Sequence, residues 1–358
     1  MALRFHCGRW LGAALIFTAV TAWPLAAQEF SPFRPLPTQP PYPKDNPPDE
    51  AKAALGKQLF FDRRLSSSQT LSCNDCHNLL AGGEDGRAIP VGAEGRRGER
   101  STPTLWNVGF YTVYNWYGSA RSLEEQLRVH WLAPEAMAMP ESSQVLGRLK
   151  KIPGYRRQFE QVFGREQGVS FHNAVKAVAT FLRTLVTTDS PFDRFLQGDE
   201  TAISAQARRG FDAFIEVGCA ACHFWVNLAG PVPGLAFEMG EGFYELFPNY
   251  PGTEYEKTFR LAADQGRVNV TKLPSDTRMW RVPTLRNIGI TAPYFHNGSV
   301  ATLPEAVAVM AKTQLDKTLT DEQIEEIVAF LDSLTGRFPE ITLPHLPQVE
   351  NQPFTLDR

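Results

Sequence analysis

The feature that most constrains this chain is a short motif written twice: "CNDCH" at Cys73, Cys76 and His77, and "CAACH" at Cys219, Cys222 and His223. Cys7, near the start, is the only cysteine outside them. Two thiols one helical turn apart can add to the two vinyl groups of a heme, and the adjacent histidine then meets the iron from one face. C-x-x-C-H therefore reads as covalent attachment of heme c. Two motifs imply two covalently bound heme c groups, with His77 and His223 on the irons. Two local disulfides, or a zinc site with Cys and His ligands, are the competing readings of the same residues.

The opening stretch "MALRFHCGRWLGAALIFTAVTAWPLAAQ" agrees with heme attachment outside the cytoplasm. Arg4 and Arg9 precede an apolar run too short to span a bilayer comfortably, and small residues follow at Ala26 and Ala27. Residues 1–27 thus read as a cleaved signal peptide, implying a periplasmic protein with no stable membrane span. Losing two arginines and no acids makes the formal charge of −3 more negative. No basic stripe remains to grip nucleic acid. Residues 28–48 form a proline-rich extended leader.

Apolar periodicity places both motifs behind helices. Residues 49–66 ("DEAKAALGKQLFFDRRLS") precede the first and 204–218 ("SAQARRGFDAFIEVG") the second. Residues 170–186 and 320–336 share that character. In the latter, Thr320 is expected as N-cap, Gln323 completes a capping box and Gly336 is the stop. Strand signals are few, so the expected class is mainly α: two cytochrome c-like heme domains, 49–200 and 201–340, with long irregular loops, little sheet and a tail over 341–358. Residues 224–281, rich in Gly, Pro and aromatics, are expected to wrap the second heme as loop.

An internal repeat relates the two halves. Residues 103–125 read "PTLWNVGFYTVYNWYGSARSLEE" and residues 283–305 read "PTLRNIGITAPYFHNGSVATLPE". In both, P-T-L-x-N-x-G is followed by G-S at the same offset, which marks a duplicated one-heme unit. Ungapped superposition puts Trp116 opposite His296 and His130 opposite Met310. Histidine and methionine are both common axial partners of heme iron.

These residues resemble bacterial diheme cytochrome c peroxidases and the related MauG-type enzymes. The resemblance covers nearly the whole mature chain, from "LGKQLFFDRRLS" through "CNDCHN", "STPTLWN", "SLEEQ" and "VPTLRNIGITAPYFHNGS" to "AVAVM" and "FLDSLTG". It implies that hydrogen peroxide reacts at the N-terminal heme, whose proximal histidine matches His77. The C-terminal heme, with proximal His223 and distal Met310, would be the high-potential relay. Trp116 would carry electrons between them, and Gln126 matches a distal glutamine. The implied partner is a small periplasmic cytochrome or copper protein as electron donor. For a MauG-like enzyme it is a protein substrate, oxidised through a bis-ferryl state. A homodimer is compatible with the resemblance. Family members also hold calcium through a side-chain amide and two carbonyls. The carbonyls match Thr291 and Pro293, but the amide position is Ser101, and a neutral hydroxyl is a poorer ligand.

Three departures stand out. The loop histidine that caps the N-terminal heme of the peroxidases is replaced by Ala93 in "GGEDGRAIPVGAEG". MauG-type enzymes lack that cap too, but carry tyrosine where this chain has Met310. The distal glutamate aligns with Ala136, leaving Glu135 one position away. His130 stands where the family has proline, and three readings of it are open. It could be a proton shuttle replacing the glutamate, since neutral imidazole can take a proton from the near oxygen of peroxide and give it to the far one. It could be a sixth iron ligand, making the protein a non-catalytic diheme electron carrier, or a surface histidine on a helix. Met137, Met139, Met239 and Met279 are expected to fill core gaps. Trp116 could also be simple packing. His296 is expected to hydrogen-bond beside the hemes, and His172 and His345 look ordinary.

Overall fold

The structure, a computed structural model, describes residues 32–231 and 241–349. The expected signal peptide with Cys7, the first leader residues, Met239 and the end of the tail lie outside the described residues. The helices run α1 Glu50–Phe61, α2 Cys73–Cys76, α3 Leu123–Leu132, α4 Ser142–Lys150, α5 Pro153–Phe163, α6 Phe171–Leu182, α7 Pro191–Leu196, α8 Ala205–Val217, α9 Glu254–Thr258, α10 Val268–Thr271, α11 Leu303–Leu315 and α12 Asp321–Asp332. The one small sheet pairs β1 Tyr244–Leu246 antiparallel with β2 Met279–Arg281, Glu245 opposite Trp280. The fold is mainly α, as the periodicity implied.

Local chemistry sets the helix ends. The Asp49 carboxylate accepts the Lys52 N–H to start α1, and Thr320 with Gln323 closes a capping box on α12. Gly336 is not the stop, because α12 ends at the Ser333 cap. Gly336 lies instead where a Cβ would collide with the Thr187 carbonyl, and its N–H donates to Asn287 Oδ1 at 3.1 Å. The expectation that 224–281 is all loop is likewise corrected, since β1, α9, α10 and β2 fall within it.

Two large apolar clusters fill most of the interior, with a smaller one at Leu36, Phe110 and Val226. One gathers Leu55, Phe60, Trp106, Trp131 and Phe159, the other Phe192, Phe214, Trp280, Val309 and Phe330. α1 packs on α6 and α8 on α12. Each pair is pressed together at a glycine: a Cβ on Gly56 would strike the Ala177 carbonyl, and one on Gly210 the Glu326 carbonyl. The leader from residue 32 is extended but anchored. Phe33 and Leu36 are buried, Leu36 N–H donates to Asp193 Oδ1 at 3.0 Å, and buried Asn46 donates to Glu124 Oε1 at 2.7 Å.

The two P-T-L-x-N-x-G segments meet at one side chain. Asn107 and Asn287 both sit in the left-handed region, at φ 64° and 60°. Their amides donate to the same Thr187 Oγ1, at 2.9 Å and 3.0 Å. Isolated bridges recur at matched positions, Tyr114 with Ala120 and Tyr294 with Val300.

Candidate functional site

Each motif forms a tight turn. On α2 the Ser72 N–H donates to the Asp75 carboxylate at 2.7 Å, and the second motif enters a 3-10 turn, Cys219–Ala221, through Gly218 at φ 108°. The four thiols are unpaired, and burial pushes Cys73 and Cys219 up to about 12 and Cys76 and Cys222 up to about 11. Among the described residues these cysteines form no disulfide, and no three His, Cys, Asp or Glu side chains gather as a metal-ligand set.

The two imidazoles are oriented by backbone carbonyls. His77 Nδ1 lies 3.1 Å from the Pro103 oxygen and His223 Nδ1 lies 3.0 Å from the Leu228 oxygen. A carbonyl only accepts, so Nδ1 carries the proton and Nε2 keeps its lone pair for a metal. Burial, with the nearby His130, pushes His77 down to about 3, and burial lowers His223, so both rings are neutral.

Each motif lines its own cavity, of about 220 Å³ and about 230 Å³. Paired thiols beside a neutral imidazole are the attachment set of a covalent heme. Arg281 adds a buried guanidinium facing both cavities, 5% exposed, whose hydrogen bonds go to the carbonyls of Asn115 and Val282. A buried cation calls for an anion, and heme propionates are carboxylates. The residues fit the group.

The repeat supplies the proximal walls. Thr104 Oγ1 donates to the Gly82 oxygen at 2.6 Å and accepts from Trp106 N–H. Thr284 Oγ1 donates to the Asn227 oxygen at 2.7 Å and accepts from Arg286 N–H. Each P-T step thus ties the loop behind its histidine. Pro103, Thr104 and Thr284 had no assigned role in the sequence, although the repeat had already spelled them out.

α3 and α11 supply the distal walls in the same register. Ser122 caps α3 through Glu125 N–H, and Thr302 caps α11 through Glu305 N–H. Leu123, Gln126, Leu127 and His130 line the first cavity, while Leu303, Ala306, Val307 and Met310 line the second. Both sets follow the i, i+3, i+4, i+7 spacing of one helix face. His130 is therefore no surface residue. Its ring centroid lies 6.1 Å from that of His77, with the planes at 58°. Burial lowers its basicity, partly offset by the Glu135 carboxylate. Glu135 is an exposed residue that also lines the first cavity, and Ala136 is buried beside it. The Ala136 carbonyl accepts from Ala93 N–H at 2.8 Å, which fastens that loop with only a methyl group to offer. Of the spare methionines, Met137 and Met139 are buried in the first apolar cluster and Met279 lies on β2.

Trp116 lines both cavities. Its Nε1 donates to the Ser101 oxygen at 2.7 Å, and Ser101 N–H donates to the His296 oxygen at 2.8 Å. The residues opposed in the repeat thus grip the backbone N–H and C=O of one residue, Ser101. The His296 ring stacks on Trp280 with centroids 4.2 Å apart, and its buried Nε2 has no protein partner among the described residues. Tyr111 also lines both cavities. It is buried, accepts from Thr284 N–H at 2.7 Å, and lies 3.7 Å beneath the Arg281 guanidinium. Tyr111, inside the first copy of the repeat, and Arg281, just before the second, carry no further local sequence signal. Ser101, Thr291 and Pro293 all line the second cavity, beside the buried Glu84.

Known proteins resemble this chain in sequence and in fold. A family model described as di-haem cytochrome c peroxidase matches residues 50–201. The chain is 39% identical over 317 residues to cytochrome c551 peroxidase of Pseudomonas aeruginosa, covering 88% of this chain and 87% of the relative. It is 35% identical over 321 residues to methylamine utilization protein MauG of Methylorubrum extorquens, covering 86% and 84% respectively. A solved MauG-like protein associated with microbial copper homeostasis superposes with a TM-score of 0.74 at 28% identity, over 88% of this chain and 96% of that one. Among the described residues no helix is long and apolar enough to cross a membrane. The chain belongs to the di-haem cytochrome c peroxidase family of diheme enzymes, which takes in both the cytochrome c peroxidases and MauG.

Proposed function

We propose that the protein is a periplasmic peroxidase, exported through a cleaved signal peptide, that reduces hydrogen peroxide in the first cavity and takes in electrons through the second. Trp116 carries this reading, as an indole fixed by Ser101 that lines both cavities. Residues 49–200 are then the peroxidatic domain and 201–340 the electron-transfer domain. When bound, heme supplies an iron site for peroxide beside His77 and a redox centre between His223 and Met310.

The chain's own residues do the rest. Reducing one peroxide to two waters consumes two electrons and two protons, so the first cavity needs a group that moves a proton from the near oxygen to the far one. Gln126 holds the peroxide by hydrogen bonding, and Glu135, or His130 whenever its ring is free of the iron, carries the proton. Met310 suits electron entry, because thioether ligation raises potential. Arg281 and Tyr111 fix the wall between the cavities. The donor is a small periplasmic cytochrome or copper protein. A calcium ion on Ser101 and the Thr291 and Pro293 carbonyls would brace the second cavity.

The second reading is a MauG-like enzyme that oxidises a residue of a partner protein. Ala93 favours it, because the loop that closes the peroxidases offers no ligand here. Mixing the purified protein with peroxide, with and without a reduced small cytochrome c, tests both. Turnover that requires the cytochrome supports the peroxidase. Peroxide consumption without it, together with modification of an added protein, supports the second reading. No consumption in either case refutes both and leaves an electron carrier.

A further inference from the structure

We infer that His130 is itself an iron ligand of the first heme in the resting oxidised protein, on the face opposite His77. This rests on the reading of the first cavity as a heme pocket. Distance separates a ligand from a base that faces bound peroxide. Two imidazoles on one metal, with bonds of about 2.0–2.1 Å and each centroid about 1.1 Å behind its nitrogen, stand about 6.3 Å apart. An imidazole that instead hydrogen-bonds to an oxygen on the metal adds a contact of about 2.8 Å, which moves the centroids to about 9 Å in line, or about 8 Å with a bend at the oxygen. The observed separation is 6.1 Å.

The helix register agrees. His130 is the eighth residue after the Ser122 cap, as Met310 is after Thr302, and each projects from the cavity face of its helix. α3 is held from both ends. Trp131, the next residue, is buried and its Nε1 donates to the Leu65 oxygen at 3.1 Å. Glu124 pairs with the buried Arg183 at 2.6 Å and accepts from Asn46. Met137, a thioether that also lines this cavity, is packed into the apolar cluster. A small ligand must therefore displace a residue of the last turn of α3, not a loop.

Visible and paramagnetic-resonance spectra of the oxidised holoprotein test the assignment. The wild type is expected to show no high-spin ferric signal. His130→Ala should gain a high-spin signal from one heme per protein, and added imidazole should abolish it. A wild type already carrying one high-spin heme, or a His130→Ala spectrum that stays low-spin, overturns the inference. Should the variant fail to take up heme, near-infrared magnetic circular dichroism of the wild type decides, since one heme must show the bis-imidazole band and its absence overturns the assignment. The peroxidase reading fails separately. Cytochrome-dependent turnover by a high-spin wild type removes the ligation and keeps the peroxidase. A low-spin wild type that never consumes peroxide keeps the ligation and removes the peroxidase.

Discussion

Thr187→Val tests whether the junction of the two repeated segments is a structural requirement. Thr187 is fully buried, and its Oγ1 accepts the side-chain amides of Asn107 at 2.9 Å and Asn287 at 3.0 Å. Valine keeps the volume and the β-branched preference but replaces the hydroxyl with a methyl, leaving two buried amide donors without their acceptor. The Asn107 oxygen keeps the Thr187 N–H at 2.9 Å and the Asn287 oxygen keeps Gly336 N–H at 3.1 Å, so the damage is confined to the donors. At about 1–3 kcal/mol for each unsatisfied buried group, the loss is about 2–6 kcal/mol. The added methyl returns less than about 1 kcal/mol. Thr187→Ser keeps the oxygen and should cost only about 1 kcal/mol for the lost methyl. Urea denaturation of the holoprotein measures this as a shift in midpoint at constant slope. A valine variant as stable as wild type, or a serine variant worse than the valine one, refutes the reasoning.

Other perturbations address the site. Trp116→Phe keeps a ring but loses the bond to Ser101, and cytochrome-dependent turnover should fall roughly tenfold or more with both heme spectra unchanged; undiminished turnover excludes the relay. Met310→His should lower the potential of the second heme in a spectroelectrochemical titration, because thioether ligation holds it high; an unmoved potential removes Met310 from the iron. Burial opposes ionisation of Glu124, but hydrogen bonds and charge from Arg183, with the Asn46 amide, outweigh it and hold the carboxyl below the usual range. Its stabilisation is complete above the unfolded value of about 4.3 and is lost as pH falls through the lower folded one. Glu124→Gln should therefore weaken the protein at neutral pH and flatten the acid limb of its melting curve, and an acid limb as steep as wild type counts against the pair. Ser101→Asn supplies an amide oxygen and should tighten calcium binding in a calorimetric titration; equal binding by both forms places the ion elsewhere.

What was legible in the sequence is what local spacing encodes. Two thiols and an imidazole on one turn announce heme attachment, the repeat sets His130 opposite Met310, and the family resemblance adds Gln126. Thr187, Tyr111 and Arg281 were not legible, because each acts where segments distant in the chain converge. Thr187 joins two asparagines that neighbour nothing near it in sequence, and Tyr111 accepts its hydrogen bond from Thr284 in the other half. Gly336 misled for a related reason. A glycine after a helix can be a stop or a point of close approach, and only the Thr187 carbonyl pressed against it tells which. His130 marks the same limit. The repeat puts it on the face that holds Met310, yet ligand and proton carrier share that residue, that helix and that face. They differ by the length of one hydrogen bond between two rings, and no spacing along the chain encodes that length. The 6.1 Å separation of His77 and His130 is the observation on which the proposed ligation rests.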